Sequence, residues 1–136
     1  MSCYKPIIRV SNPNSTSVVA NGTIPLTTAV HGNSCVLTSN GTGVSINKVG
    51  GCYDAIAKVT FTVPVAGEVT ISLLKDGVSV ATGRVTATTA TTYNVVIPAT
   101  ILAKCCTLPS TLTLTTSLAI TSLDATLDVS YLSERN

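Results

Sequence analysis

The sequence predicts an all-β chain, a β-sandwich or jelly roll, on three observations. Thr dominates the composition with Val and Ser behind it, and Thr and Val are stiff at Cβ and fit a pleated surface. Glu, Gln, Lys and Met, which favour helices, are scarce. Segments of alternating apolar and polar residues recur about eight to ten times, parted by Gly, Pro, Asn and Asp. Many short strands at close spacing suit two packed sheets, and any helix would be a single turn. At 136 residues the chain is one domain's length and can bury a real core.

The elements follow in chain order. Residues 1–30 read as an extended N-terminal arm and residues 31–136 as the jelly-roll domain. In the arm, the apolar pieces Ile7 to Val10, Val18 to Ala20 and Ile24 to Val30 are separated by Ser11-Asn12-Pro13-Asn14-Ser15 and Asn21-Gly22. Pro6, Pro13 and Pro25 suit edge positions. Cys35 to Thr38 and Val44 to Val49 flank a Gly-rich hairpin loop at 39–43, and Gly50-Gly51 breaks the chain. From Tyr53, every second residue is apolar through Ala55, Ala57, Val59, Phe61 and Val63, which requires a strand with one face in the core. Val69, Ile71 and Leu73 repeat the pattern, and Asp76-Gly77 then favours a type I′ turn into a strand from Val78. A bulge is expected at Gly83-Arg84. Tyr93, Val95 and Ile97 make a strand stopped by Pro98. Residues 101–109 read as a loop. Two further strands are expected, one through Leu112, Leu114, Leu118 and Ile120, the other through Leu123, Ala125, Leu127, Val129 and Tyr131. Phe61, Val59, Ile71, Leu73, Val95, Leu114 and Leu127 are the expected core.

Charge and composition exclude several functions. Only 10% of residues are charged and the net charge is +2, so no basic field exists for nucleic acid. The 45% hydrophobic content excludes disorder, and no apolar run is long enough for a membrane-spanning helix. Lys, Pro and Arg within Met1 to Val10 do not make a secretory signal.

No catalytic constellation emerges, and no cofactor or metal is expected. A Ser-His-Asp system would have to use His31, the one histidine, which reads as a turn residue with no GxSxG elbow beside it. Asp124 and Asp128 share a strand face roughly 13 Å apart, too far for a glycosidase pair, and read as solvated charges. Gly41-Thr42-Gly43 lacks the GK[ST] of a phosphate loop. Cys3, Cys35, Cys52, Cys105 and Cys106 lack zinc-ligand spacing. They are either buried thiols or cross-links, an odd number suiting bonds between subunits. Ile56, Leu74, Val96 and Leu132 interrupt the polar faces of their strands. Several such intrusions on one sheet would make a patch, read as a subunit interface.

The run Gly51-Cys52-Tyr53-Asp54-Ala55-Ile56-Ala57-Lys58-Val59-Thr60-Phe61 resembles the Gly-x-Tyr-x-x-x-Ala-x-Val-x-Phe strand of C1q/TNF-like jelly rolls. The resemblance continues through 63–67 and Thr70 to Gly77, then Cys105-Cys106 and Ser110 to Leu114. This combination is similar to small virion proteins of tailed bacteriophages, of the capsid decoration or head-fibre type. The resemblance implies a homotrimer, with Ile56, Leu74, Val96 and Leu132 partly near the threefold axis. It implies a non-enzymatic structural role on the virion surface after synthesis in the host cytoplasm. The partner would be the major capsid protein or another virion protein. Tyr4, Ile7, Ile8, Val10, Val18 and Val19 of the arm are the expected capsid attachment residues, because the later strands already supply a core. Two other readings stay open: an adhesion module binding a host-surface glycan through loops, and a disulfide-linked subunit of a bacterial surface or spore appendage.

Overall fold

The computed structural model describes residues 7–31, 36–47, 51–102 and 110–134. Among them the chain forms twelve strands and no helix: β1 (Ile7–Asn12), β2 (Thr16–Val18), β3 (Thr23–Ile24), β4 (Thr28–His31), β5 (Leu37–Ser39), β6 (Val44–Ile46), β7 (Gly51–Thr62), β8 (Gly67–Lys75), β9 (Val78–Ala87), β10 (Tyr93–Leu102), β11 (Ser110–Thr116) and β12 (Ile120–Glu134). They make two antiparallel sheets of six strands. One has the order β10-β7-β12-β1-β4, with β2 also on β12. The other has the order β5-β6-β11-β8-β9, with β3 also on β11.

The alternation in the sequence becomes the inside and outside of this sandwich. Along β7, Tyr53, Ala55, Ala57, Val59 and Phe61 are fully buried, whereas Asp54, Ile56 and Lys58 between them are exposed. Val95 and Ile97 of β10 and Ala125, Leu127 and Val129 of β12 lie beside them in the same sheet, and Val69, Ile71 and Leu73 of β8 with Leu112 and Leu114 of β11 face them from the other sheet, in one continuous core. All seven residues expected in the core are there. At 76–77 both residues have positive φ, 52° at Asp76 and 85° at Gly77, which is the type I′ geometry that matches strand twist.

Several expectations are corrected by pairing that is not local. The strand through Pro98 does not stop there. β10 continues to Leu102 because it is an edge strand, where a missing N–H breaks no ladder. No bulge occurs at Gly83, which pairs in register with Ile71. The irregularity lies between Leu73 and Leu74, where Val80 is the extra residue. Gly83 is needed for a different reason. A Cβ there would lie 2.4 Å from Val95 Cγ1, because the two sheets close together along β9 and β10. Leu118 lies in a turn rather than a strand, and His31 ends β4 rather than forming a turn.

The largest correction concerns the N-terminal segment. It is extended, but residues 7–31 are built into both sheets. β1 lies between β12 and β4, with Ile7 opposite Ser130 through to Asn12 opposite Ala125. β2 joins β12 and β3 joins β11. Ile8, Val10, Val18, Ile24 and Leu26 are buried in the core. The later strands do not fill the sandwich alone, because Ala55, Ala57 and Ala125 leave volume on the β7–β12 floor. They also leave one edge of β12 with unpaired backbone groups that β1 and β2 satisfy.

Candidate functional site

The outer face of the first sheet is where chemically distinctive side chains converge. The pleat of β7 points Asp54, Ile56, Lys58 and Thr60 outward, and pairing with β10 and β12 fixes their neighbours. Val96 and Thr126 flank Lys58. Pro98 and Asp128 flank Ile56, and Asn94 and Asp124 flank Thr60. β1 extends the rows by placing Arg9 beside Asp128 and Ile7 beside Ser130.

Two kinds of surface meet here. Ile7, Ile56 and Val96 expose 48%, 37% and 52% of their area, an apolar content that solvent alone does not favour. Around them are two cations and three carboxylates. Arg9 grips Asp128 with both ends of its guanidinium, Nε to Oδ1 at 2.5 Å and Nη2 to Oδ2 at 3.0 Å. These hydrogen bonds, and next the charge of Asp128, raise the Arg9 pKa further above its already high ordinary value. Both side chains remain over a third exposed, so the pair orients charge more than it stabilises the fold. A shallow depression of about 280 Å³ opens between Arg9, Lys58, Asn94, Asp124 and Asp128. The bulge at Leu123 brings Asp124 to this face, shifting the parity of β12 by one residue after Ser122.

The expected interface residues are divided by the fold. Ile56 and Val96 share this face. Leu74 is half-buried on β8, on the outer face of the opposite sheet, beside a hydroxyl-lined groove with Thr70, Ser72 and Thr115. Leu132 is the extra residue of a second β12 bulge, between Tyr131 and Ser133, and its side chain lies outside the described residues. Among the expected attachment residues, Ile8, Val10 and Val18 are buried in the core. Ile7 and Val19 are exposed, and Tyr4 lies outside the described residues. Cys52 carries a half-buried free thiol near the start of β7, while Cys3, Cys35, Cys105 and Cys106 lie outside the described residues.

Sequence reading missed the Arg9–Asp128 pair, which spans 119 positions and leaves no local signal. Lys58 was within reach, since it has the same parity as Ile56 on β7.

Solved structures share the fold that carries this face. No family model matches the sequence, and no curated protein matches it. Solved structures do. Murine APRIL superimposes with a TM-score of 0.74 at 14% identity, over 94% of this chain and 99% of that one. The globular domain of zebrafish complement 1qA protein gives 0.69 at 13% identity, over 97% and 99%. The PRD1 vertex protein P5 gives 0.60 at 10% identity, over 96% and 97%. The fold is a C1q/TNF-like jelly roll. The jelly roll spans nearly the whole chain, so residues 7–31 belong to the same architecture as the strands after them.

Proposed function

We propose that this chain is a non-enzymatic structural subunit of a phage virion, a trimeric capsid decoration or head-fibre protein. The observation that carries the reading is the likeness to the PRD1 vertex protein, which extends over nearly the full length of both chains. The sequence resemblance to small phage virion proteins supports it independently. C1q/TNF-like domains generally assemble as trimers, and the face bearing Ile56 and Val96 supplies apolar surface for such assembly. With Ile8, Val10 and Val18 committed to the core, attachment to the major capsid protein or another virion protein falls to Tyr4 and the residues ahead of β1, with Ile7 beside them.

The test is antibody labelling of particles released by the producing host, alongside sedimentation of the purified protein. Label on the heads and a trimer in solution are expected. Particles that carry no label, or a protein that stays monomeric at micromolar concentration, overturn the reading.

A further inference from the structure

Two Asn-Gly pairs occur among the described residues, Asn21-Gly22 after β2 and Asn40-Gly41 between β5 and β6. The fold treats them differently. At the first, Asn21 N donates to Thr116 O at 2.9 Å, Thr116 N donates to Gly22 O at 3.2 Å, and Gly22 N donates to Val19 O at 2.9 Å. The nitrogen of Gly22 is thereby engaged, and a Cβ there would lie 2.8 Å from Val19 O, so this peptide is packed in place. At the second, Gly41 is exposed, has φ of 89° and has open space where a Cβ would stand. Its N–H donates to no group of the chain. The Asn40 side chain is folded back over this free peptide. Its Oδ1 accepts from Gly43 N at 2.7 Å, Thr42 N at 3.0 Å and Thr42 Oγ1 at 3.2 Å, and its Nδ2 donates to Ser45 Oγ at 3.1 Å. The ring closed by the Thr42 N–H contains both Asn40 Cγ and Gly41 N, which holds the two atoms near one another.

From this arrangement we infer that Asn40 is a self-modification site, which the folded chain deamidates through its own Gly41 nitrogen while it protects Asn21. The inference is independent of the virion reading. Gly41 N loses its proton to solvent base and attacks Asn40 Cγ, so the N–Cγ bond closes a five-membered succinimide ring. The Cγ–Nδ2 bond then breaks, and Nδ2 takes a proton and leaves as ammonia. Water next adds to either ring carbonyl and opens the ring, to Asp by one route and to isoaspartate by the other. Nothing is oxidised or reduced. Negative charge develops on Oδ1 during the attack, where the N–H groups of Thr42 and Gly43 and the Thr42 hydroxyl already converge. Glycine at 41 leaves the attacking peptide free to turn, since no side chain restricts its backbone. The Asp product keeps an acceptor at 40 and hence the loop. The isoaspartate product adds a methylene to the main chain joining β5 to β6, and the same turn cannot close. Asp76-Gly77 is held out of this chemistry, because Asp76 Oδ1 accepts from Thr111 N at 2.9 Å, across to β11.

The experiment incubates the full chain in mildly alkaline buffer, folded and in concentrated urea, and follows each asparagine by peptide mapping with mass spectrometry. Ammonia release is measured alongside, and thermal melting verifies the folded sample. In the folded chain Asn40 is expected to convert about tenfold or more faster than Asn21, because a positioned attacking group gains at least that over a held one. In urea the two rates should converge, since both sites are then Asn-Gly in an open chain. Asn40→Asp should remove most of the ammonia that the folded protein releases. Folded Asn21 converting as fast as Asn40 overturns the inference. So does a folded Asn40 that stays intact over the time in which the urea-unfolded chain converts. A rate difference that persists unchanged in urea also overturns it, because the selectivity would then come from neighbouring sequence rather than from the fold.

Discussion

At the scale of single residues, parity decides consequence. Phe61 is fully buried against the Tyr93 ring, with centroids 6.0 Å apart, while its neighbour Thr60 points to the outer face. Phe61→Ala should therefore cost about 3–5 kcal/mol, because the well-filled site collapses only partly. Thr60→Ala should stay within about 0.5 kcal/mol. Chemical denaturation of the two variants checks the contrast, and equal losses would contradict the assigned face. Tyr93 carries a second prediction. The side chain and the backbone N–H of Thr88 hydrogen-bond its phenol oxygen, the N–H at 2.9 Å, and they lower its pKa below the ordinary 10.0. A depressed acid favours the folded state once it ionises. Stability relative to Tyr93→Phe should thus rise as pH climbs through the lowered value towards the ordinary one, and fall back below it. Absorbance titration of the phenols should lose its Tyr93 component in the Phe variant. Gly83 is constrained by space rather than by φ. Gly83→Ala drives a methyl into Val95 and Ile97, and should cost about 1–3 kcal/mol by overpacking.

At the scale of elements, hairpins were legible in the sequence and long-range partners were not. The Asp76-Gly77 turn and the loop at 39–43 each carry their geometry in a few adjacent residues. In that loop, Asn40 Oδ1 accepts from Gly43 N at 2.7 Å and Thr42 N at 3.0 Å, and Asn40 Nδ2 donates to Ser45 Oγ at 3.1 Å. These bonds join β5 to β6, so Asn40→Ala should lower stability by roughly 1 kcal/mol, while Asn40→Asp keeps the acceptor and loses less. Thermal melting of the pair separates the lost acceptor from general loop sensitivity. The β12 bulges were not legible. Leu123 continues an apolar alternation in the sequence with Ala125 and Leu127, yet an extra residue between Ser122 and Asp124 resets the register. Nothing local marks it, because the shift is imposed by fitting β12 against β7 and β2 together. Pro98 misled for a related reason: whether proline ends a strand depends on whether that strand is an edge, which is a property of the sheet. The candidate face was half legible. Ile56 and Val96 stood out as apolar intrusions, but only sheet order separates them from Leu74 and joins Lys58 to Asp124 and Arg9.

At the scale of the molecule, the N-terminal segment tests whether attachment and folding can be separated. Its short apolar pieces broken by turns look detachable, because a strand's partner across more than a hundred residues cannot be read from the strand. In the sandwich, β1 is an interior strand, hydrogen-bonded to β12 on one side and β4 on the other. Ile8 and Val10 are among the most deeply buried residues, and each contributes about 1.5–3 kcal/mol through its apolar surface. Losing both, with the backbone pairing of β1, is comparable to the whole stability of a small domain, about 5–15 kcal/mol. Removal of residues 2–12 should therefore abolish cooperative unfolding and leave a chain that aggregates through the exposed edge of β12. Removal of residues 2–6 stops short of β1 and should leave the melting transition and the trimer unchanged. If the residues ahead of β1 hold the subunit on the particle, that shorter truncation should no longer co-sediment with it. A shorter truncation that still co-sediments would shift attachment to the exposed surfaces of the sandwich. A 2–12 truncation that still melts cooperatively would show that β12 can close the sheet without β1.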